Sequence, residues 1–303
     1  MTLPVAARVR VPATSANLGP GYDSFGLALA LYDVFDAEPA EAWRVDVVGE
    51  GEGILSVGED NEVVRAMKRV FAEVGYTGAA IVRCDNGIPV GRGLGSSAAA
   101  IVGGLLLGDI ISGSELTRER IFELASELEG HPDNVAAAVF GGFTMCWSEG
   151  GAPRVARIEP GGGLAAVVAV SDTSLPTVEA REALPDSIPH VDAAFSAGRA
   201  GLLSAGITLG RSDLIAAGLA DRLHEPYRER LVPDAALTRS ALISAGATGA
   251  VLSGAGPTVL GLLAAESDGA ALELAGEVAD RVGTLPGRHA FALGIDRDGA
   301  EVH

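Results

Sequence analysis

Apolar residues alternate with polar ones, or gather in short β-branched runs, at 7–11, 43–48, 78–84, 143–147, 155–158, 165–170, 249–253, 258–263 and 290–293. Each run predicts a strand. Apolar residues recur at helical spacing over 62–74, 96–111, 116–128, 178–183, 191–205, 234–245 and 269–282, and predict helices. Strands and helices interleave without the strict βαβ rhythm of a doubly wound sheet, so the expected class is α+β. There is no repeat of period 20–50 and no low-complexity tail. The chain has 303 residues, about two domains' worth. The Gly-rich stretches 149–153 and 159–163 are the expected junction, which divides 1–152 from 153–303.

Charge then narrows the partners. Twenty-two basic against 40 acidic residues leave a net charge of −18, a surface that repels phosphodiester backbones. An anionic ligand would need local backbone amides, a few arginines or a bridging metal. Lysine is almost absent: Lys68, in the amphipathic run NEVVRAMKRVFAEVG, is the only one. A Walker-A loop needs Gly-Lys-Ser/Thr and none is present. A pyridoxal Schiff base would have to use Lys68, whose pattern is that of a solvated helix face. The longest apolar stretch, 98–108, is cut by Asp109 and falls short of a membrane span. The start, MTLPVAARVRVPATS, lacks a signal peptide's apolar core, so a soluble cytoplasmic protein is expected. Cys84 and Cys146 are far apart and read as isolated core thiols of a reduced compartment.

The 41 glycines stand well above the usual share of about 7%, and many fall in three constellations. The first is Pro89, Val90, Gly91, Arg92, Gly93, Leu94, Gly95, Ser96, Ser97, Ala98 and Ala99, after a strand and at the start of an apolar helix. Its glycines let the backbone pass close to a ligand, and helix-start amides make an anion cradle. The plain alternative is a glycine loop with a serine N-cap. The second, 12–26, is a polar loop with Gly-Pro-Gly and an exposed-looking Asn17 and Asp23. An amide and a carboxylate six residues apart could hold a hydroxyl and an ammonium, or simply cap backbone amides. The third, 246–261, places a Ser-Gly-Ala-Gly turn between two strands, with no titratable side chain. It offers backbone amides suited to packing against a phosphate loop, and equally reads as a bare hairpin.

Together, in this order, the three resemble the GHMP kinases, with Pro89–Ala99 similar to their phosphate-binding signature. PATSANLGPGYDSFGLAL at 12–29, EGHPDNVAAAVFGGF at 129–143 and LSGAGPTVL at 252–260 resemble the homoserine kinase branch. TVEAREALP at 177–185 and HEPYRERLVP at 224–233 fit it too, so the resemblance spans about 8–262. It implies an N-terminal half like ribosomal protein S5 domain 2 and a ferredoxin-like C-terminal half, in a homodimer. It also implies ATP- and Mg²⁺-dependent phosphorylation of L-homoserine to O-phospho-L-homoserine, in threonine biosynthesis. The alternatives are another small-alcohol kinase of the family and a non-catalytic metabolite-binding regulator on the same fold.

By the same resemblance, Ser97 and an upstream acid would hold Mg²⁺. Glu129, just before Gly-His-Pro-Asp-Asn, is the first choice, with Glu123 and Glu127 as rivals whose spacing suits a solvated face. Many relatives carry an aspartate as general base at the place taken here by Asn134, and an amide cannot accept the proton. Catalysis without a dedicated base is therefore implied; His131 is a conceivable base but fits a structural Gly-His-Pro turn better. Asn17 would orient the accepting hydroxyl, Asp23 would pair with the α-ammonium, and Arg181 and Arg228 would clamp the α-carboxylate. Without the motif match, each arginine would read as a solvated helix residue. Arg92 would contact nucleotide phosphate or cover the loop, and Asn61 would reach adenine or ribose. His190, His224, His289 and His303 read as structural or surface residues.

Overall fold

A computed structural model describes residues 6–303 of the chain. The first part runs β1 (Ala7–Ala16), β2 (Phe25–Ala40), β3 (Arg44–Gly49), α1 (Glu62–Val74), β4 (Ala79–Asn86), α2 (Ser96–Ser112), α3 (Arg118–Glu129), α4 (Asp133–Phe140), β5 (Phe143–Glu149) and β6 (Ala152–Ile158). The second runs β7 (Leu164–Ser171), α5 (Thr177–Glu182), α6 (His190–Leu209), α7 (Ser212–Gly218), α8 (Glu225–Arg228), α9 (Ala235–Ala245), β8 (Gly249–Leu252), β9 (Val259–Ala264), α10 (Asp268–Val282), β10 (Arg288–Gly294) and β11 (Glu301–Val302). All the expected strands and helices form; β2, α4, α7, α8 and β11 come in addition.

The first sheet is ordered β11-β1-β2-β4-β3, with β5 on the near end of β2 and β6 beyond it. Strand β2 is its spine. It pairs with β1 along nearly its whole length, with β5 through Phe25–Leu27 and with β4 through Asp33–Ala40. The β1–β2 register shifts between Pro12 and Ala13, where a proline cannot donate to the ladder. Asp33, on the buried side of β2, accepts the amides of Gly87 and Ile88, both at 2.8 Å, and so ties down the segment leading to Pro89. Helix α2 is apolar all round because it is wrapped by α1, α3, α4 and the β1–β2 face. Cys84 and Cys146 are free and buried.

The second sheet, β10-β7-β9-β8, is antiparallel throughout. Numbered in chain order its strands lie 4-1-3-2, the ferredoxin-like arrangement with helices between the first and second strands and between the third and fourth. Every residue of β7 is buried, because the sheet is covered on both faces. Ala166, Val168 and Val170 join the core of the first half, while Ala165, Val167 and Ala169 pack in the core that holds Leu242 of α9 and Ala271, Ala275 and Val278 of α10. One hydrophobic core is therefore continuous across both halves.

The division expected at 152/153 runs through β6, which pairs with β5 in the first sheet from Glu149↔Ala152 onward. The 149–153 stretch is a hairpin turn, and the chain changes sheets across 159–163. The C-terminal residues return to the first sheet, where Glu301 and Val302 pair with β1. Among the described residues no helix is long and apolar enough to cross a membrane.

Candidate active site

The loop between β4 and α2 turns sharply at Gly91, Gly93 and Gly95, whose φ angles are 67°, 78° and 73°. A Cβ on Gly93 would collide with the carbonyl oxygen of Ser253, and one on Gly95 with Thr14 Oγ1, so both positions need glycine for space as well as for conformation. Gly95 is itself the N-cap of α2 and no side chain caps the helix, so the serine N-cap reading does not hold. Unused first-turn amides and the positive end of a 17-residue helix face outward together. Such a helix start can hold an anion.

The third constellation packs against this loop, one of its two expected readings. Ser253 Oγ lies 2.6 Å from the Gly93 carbonyl and 2.8 Å from Ser15 Oγ. Thr258 N donates to Arg92 O at 3.3 Å, Gly254 N to Ala16 O at 3.1 Å, and Thr14 N to Leu94 O at 3.0 Å. Arg92 reaches away from the loop to the carbonyl of Asp172, at 2.8 Å. These bonds stitch the loop to the second half of the chain.

Ser97, one residue into α2, donates to Glu129 Oε2 at 2.8 Å. Glu129 ends α3, and Gly130, in the left-handed conformation, turns its side chain toward the loop. Its rivals are spent elsewhere: Glu123 pairs with Arg120 at 2.9 Å and Glu127 with Arg69 at 3.1 Å, on the surface. Burial raises the Glu129 carboxyl above the usual carboxylate range, against the pull of Ser97 and His131. Such a site favours a cation, and its donors are two hard oxygens, the set magnesium takes. Among the described residues no three metal-ligating side chains cluster, so the remaining ligands would come from phosphate and water. His131 Nδ1 lies 2.8 Å from Asp133 Oδ1. Burial acts to lower its pKa, but this hydrogen bond and the charges of Asp133 and Glu129 outweigh it and the net shift is upward. Asn134, at the start of α4, accepts a hydrogen bond from Thr14 Oγ1 at 2.8 Å.

The polar loop after β1 forms the other wall. Asn17, Leu18 and Asp23 are left-handed, with φ of 67°, 47° and 51°. Asn17 is buried, contrary to its expected exposure, because its amide holds the loop together: Oδ1 accepts from Asp23 N at 2.9 Å and Nδ2 donates to Gly254 O at 2.8 Å. Asp23 is thereby presented to Arg181 of α5, which grips it bidentately at 2.7 and 3.0 Å and donates to Tyr22 Oη at 3.0 Å. Arg228, in α8, is 2% exposed rather than solvated. Its Nε donates to Ala180 O at 3.1 Å, and its Nη1 to Gly254 O at 3.2 Å and to His224 Nδ1 at 3.0 Å.

His224 was not foreseen as part of the site. It is fully buried, stacks on Tyr22 and has Nε2 2.8 Å from the Gly19 carbonyl. Burial lowers its pKa to about 4. A neutral imidazole with the proton on Nε2 satisfies both contacts, donating to Gly19 and accepting from Arg228. The sequence signal was the spacing of four from His224 to Arg228 within HEPYR. Thr14 was also missed, although it lies inside the 12–29 motif.

These groups enclose a cavity of about 110 Å³ lined by Asn17, Asp23, Gly91, Gly93, Gly95, Ser96, Ser97, Glu129, His131, Asn134, Arg181 and Arg228, among others. A second cavity of about 190 Å³ begins at Ser96 and runs between Asp33, Phe35, Leu55, Ser56, Asn61 and Asn86. Asn61 uses its amide to cap α1, accepting from Val63 N at 3.0 Å and donating to Ser56 O at 2.7 Å, so it shapes this wall. The arrangement gathers helix-start amides that could hold an anion, two hard oxygens that could hold a cation, and a pair of guanidiniums facing a carboxylate around one space. It suits phosphoryl transfer to a small zwitterionic acceptor.

Two family models match the chain: the GHMP kinases N terminal domain over residues 61–142 and the GHMP kinases C terminal domain over 193–282. A homoserine kinase from Streptomyces coelicolor is 44% identical, over 98% of this chain and 94% of its own. One from Moorella thermoacetica is 42% identical over 83% of this chain and 86% of its own. The crystal structure of a homoserine kinase from Cytophaga hutchinsonii superposes with a TM-score of 0.88 at 26% identity, covering 100% of this chain and 99% of that one. A mevalonate kinase structure, at 14% identity and a TM-score of 0.72 over 96% of this chain and 99% of that one, shares the fold.

Proposed function

The chain belongs to the GHMP kinases, and from that membership we propose that it transfers the γ-phosphoryl group of ATP to the side-chain hydroxyl of L-homoserine, releasing ADP and O-phospho-L-homoserine. The observation that carries the choice of acceptor is the facing of Asp23 by Arg181 and Arg228 in the cavity that also holds Ser97 and Glu129. A carboxylate opposite two guanidiniums complements an α-amino acid; mevalonate has no ammonium for Asp23. A regulator that bound a metabolite without a metal–nucleotide would have no use for the Ser97–Glu129 pair.

The α2 amides and the loop from Gly91 to Ser97 cradle the nucleotide phosphates, with the base directed along the second cavity past Asn61. Ser97 and Glu129 would hold Mg²⁺, which when bound offsets the phosphate charge that a chain of net charge −18 otherwise repels. Arg181 and Arg228 would fix the acceptor's carboxylate, Asp23 its ammonium, and Asn17 would orient its hydroxyl. The hydroxyl oxygen bonds to the γ-phosphorus as the bond from that phosphorus to the β,γ-bridging oxygen breaks, and ADP leaves. Asn134 takes no proton; the hydroxyl proton passes late to a phosphate oxygen. Positioning and electrostatic stabilisation carry the transfer.

A coupled ADP-release assay with homoserine, mevalonate, galactose and no acceptor tests the reading. ADP release dependent on homoserine alone is expected. Its absence would overturn the assignment.

A further inference from the structure

Asp23 and Arg181 are each half of an ion pair and each half of a ligand site. Their contact is bidentate, 2.7 Å from Oδ1 to Nη2 and 3.0 Å from Oδ2 to Nη1, so both oxygens and both terminal nitrogens are engaged. Asn17 fixes the Asp23 backbone and Tyr22 Oη holds Arg181 Nη1, so the pair is held from both sides. Arg228 differs. It is buried, its described partners are two carbonyls and an imidazole, and no carboxylate pairs with it among the described residues.

We infer that the Asp23–Arg181 pair is a specificity device that discriminates for zwitterions by exchange. The inference rests on the acceptor site proposed above and adds a rule to it. Each group neutralises the other, so neither offers a ligand an uncompensated charge unless the pair opens. An α-amino acid replaces what it breaks, its ammonium taking Asp23 while its carboxylate takes Arg181 and Arg228. A hydroxy acid without the amine would leave Asp23 uncompensated in a half-buried wall, so the pair stays shut and the acid is left with Arg228 alone. An amino alcohol without the carboxylate would strand Arg181 in the same way. Selection thus comes from the pair left broken as well as from the contacts made.

The test compares wild type with Asp23→Asn, using homoserine and 4-hydroxybutanoate, the same acceptor without its amine. Asp23→Asn frees the Arg181 fork, so kcat/KM for 4-hydroxybutanoate should rise by about tenfold, the worth of one regained charge-assisted contact. The same substitution should lower kcat/KM for homoserine by at least about tenfold. Arg181→Gln should mirror this, favouring 3-aminopropan-1-ol and penalising homoserine. Calorimetric binding of homoserine and 4-hydroxybutanoate reads the same inversion without turnover. Inversion in binding with no homoserine turnover in wild type would sink the kinase reading and leave the exchange standing. If Asp23→Asn, with wild-type Tm, leaves 4-hydroxybutanoate unchanged or weaker in both assays, the exchange is wrong.

Discussion

Ser97 and Glu129 reach each other at 2.8 Å from two different helices, one residue inside the start of α2 and at the very end of α3. A hydroxyl and a largely buried carboxylate meeting beside a glycine loop are the ligands proposed for Mg²⁺. Ser97→Ala and Glu129→Gln should each lower kcat by roughly 100-fold or more, since each removes one oxygen from a charge-stabilising site. Titration with Mg²⁺ should show a higher half-saturating concentration in both variants. Glu123→Gln and Glu127→Gln lose only surface ion pairs and should stay near wild type. A dead Glu123→Gln with an active Glu129→Gln would move the metal site.

The upward shift of His131 bears on the missing base. An imidazole whose protonated form is favoured by Asp133 and Glu129 is a poorer proton acceptor near neutrality. His131→Asn should keep at least about a tenth of wild-type kcat, and kcat should show no acid limb between about pH 6 and 8 that the substitution removes. A loss of about a thousandfold together with the vanishing of such a limb would make histidine the base.

Arginine loss should fall on the acceptor. Hydrogen bonds to charged groups contribute on the order of 1.5–3 kcal/mol, so Arg181→Ala should cost roughly 10–150-fold in kcat/KM, mostly as raised KM for homoserine. The KM for ATP should hardly move. Arg228→Ala should do the same and also lower Tm, because it leaves the Ala180 carbonyl and His224 Nδ1 without this donor and takes one of two donors from the Gly254 carbonyl. Lysine at either place restores charge without the planar fork and should recover part of the loss. Weakened ATP binding with an unchanged KM for homoserine would reassign both arginines to phosphate.

His224 should matter through Arg228. In His224→Asn the amide oxygen stands near the place of Nδ1 and can still accept from the guanidinium; in His224→Gln the amide nitrogen stands near Nε2 and can serve only Gly19. The Asn variant should keep KM for homoserine within about threefold, while the Gln variant raises it by about tenfold, with kcat unchanged in both. Its pKa, lowered from 6.5 to about 4, also sets a sign. The stability it contributes is complete above pH 6.5 and is lost as pH falls toward 4. Tm of wild type should therefore drop faster than that of His224→Asn over that window. Parallel Tm curves would mean that His224 is already charged in the native protein.

Much of this was legible in the residue pattern, and the gaps have physical causes. The glycine loop at 89–99 could be read because its glycines answer a backbone requirement that leaves a local trace. Strand β2 was not, because Asp33 occupies a buried position and breaks the alternation; it is there to hold the Gly87 and Ile88 amides, which lie 54 and 55 residues away. Helix α4 hid in DNVAAAVF, a run whose apolar residues face the core on nearly every side and leave no period. Asn17 looked exposed because polar residues leading into a Gly-Pro-Gly turn usually are; its partner, the Gly254 carbonyl, lies 237 residues away. Glu123 is taken by Arg120 one turn back on the same helix, a pair that spacing does show, whereas the partner of Glu127, Arg69, comes from α1 and leaves no trace along α3.

The phosphate loop lies in a seam. Ser253, Gly254 and Thr258 bind it or its neighbours from the second half, Arg92 reaches across to Asp172, and the core runs unbroken beneath. Enzymes that move phosphoryl groups often shut water out by swinging one lobe onto the other. Here such a swing would have to tear these bonds and split the core, so the two lobes behave as a single rigid jaw. On the proposed function, the acceptor that fills the jaw would then itself shield the transfer from water.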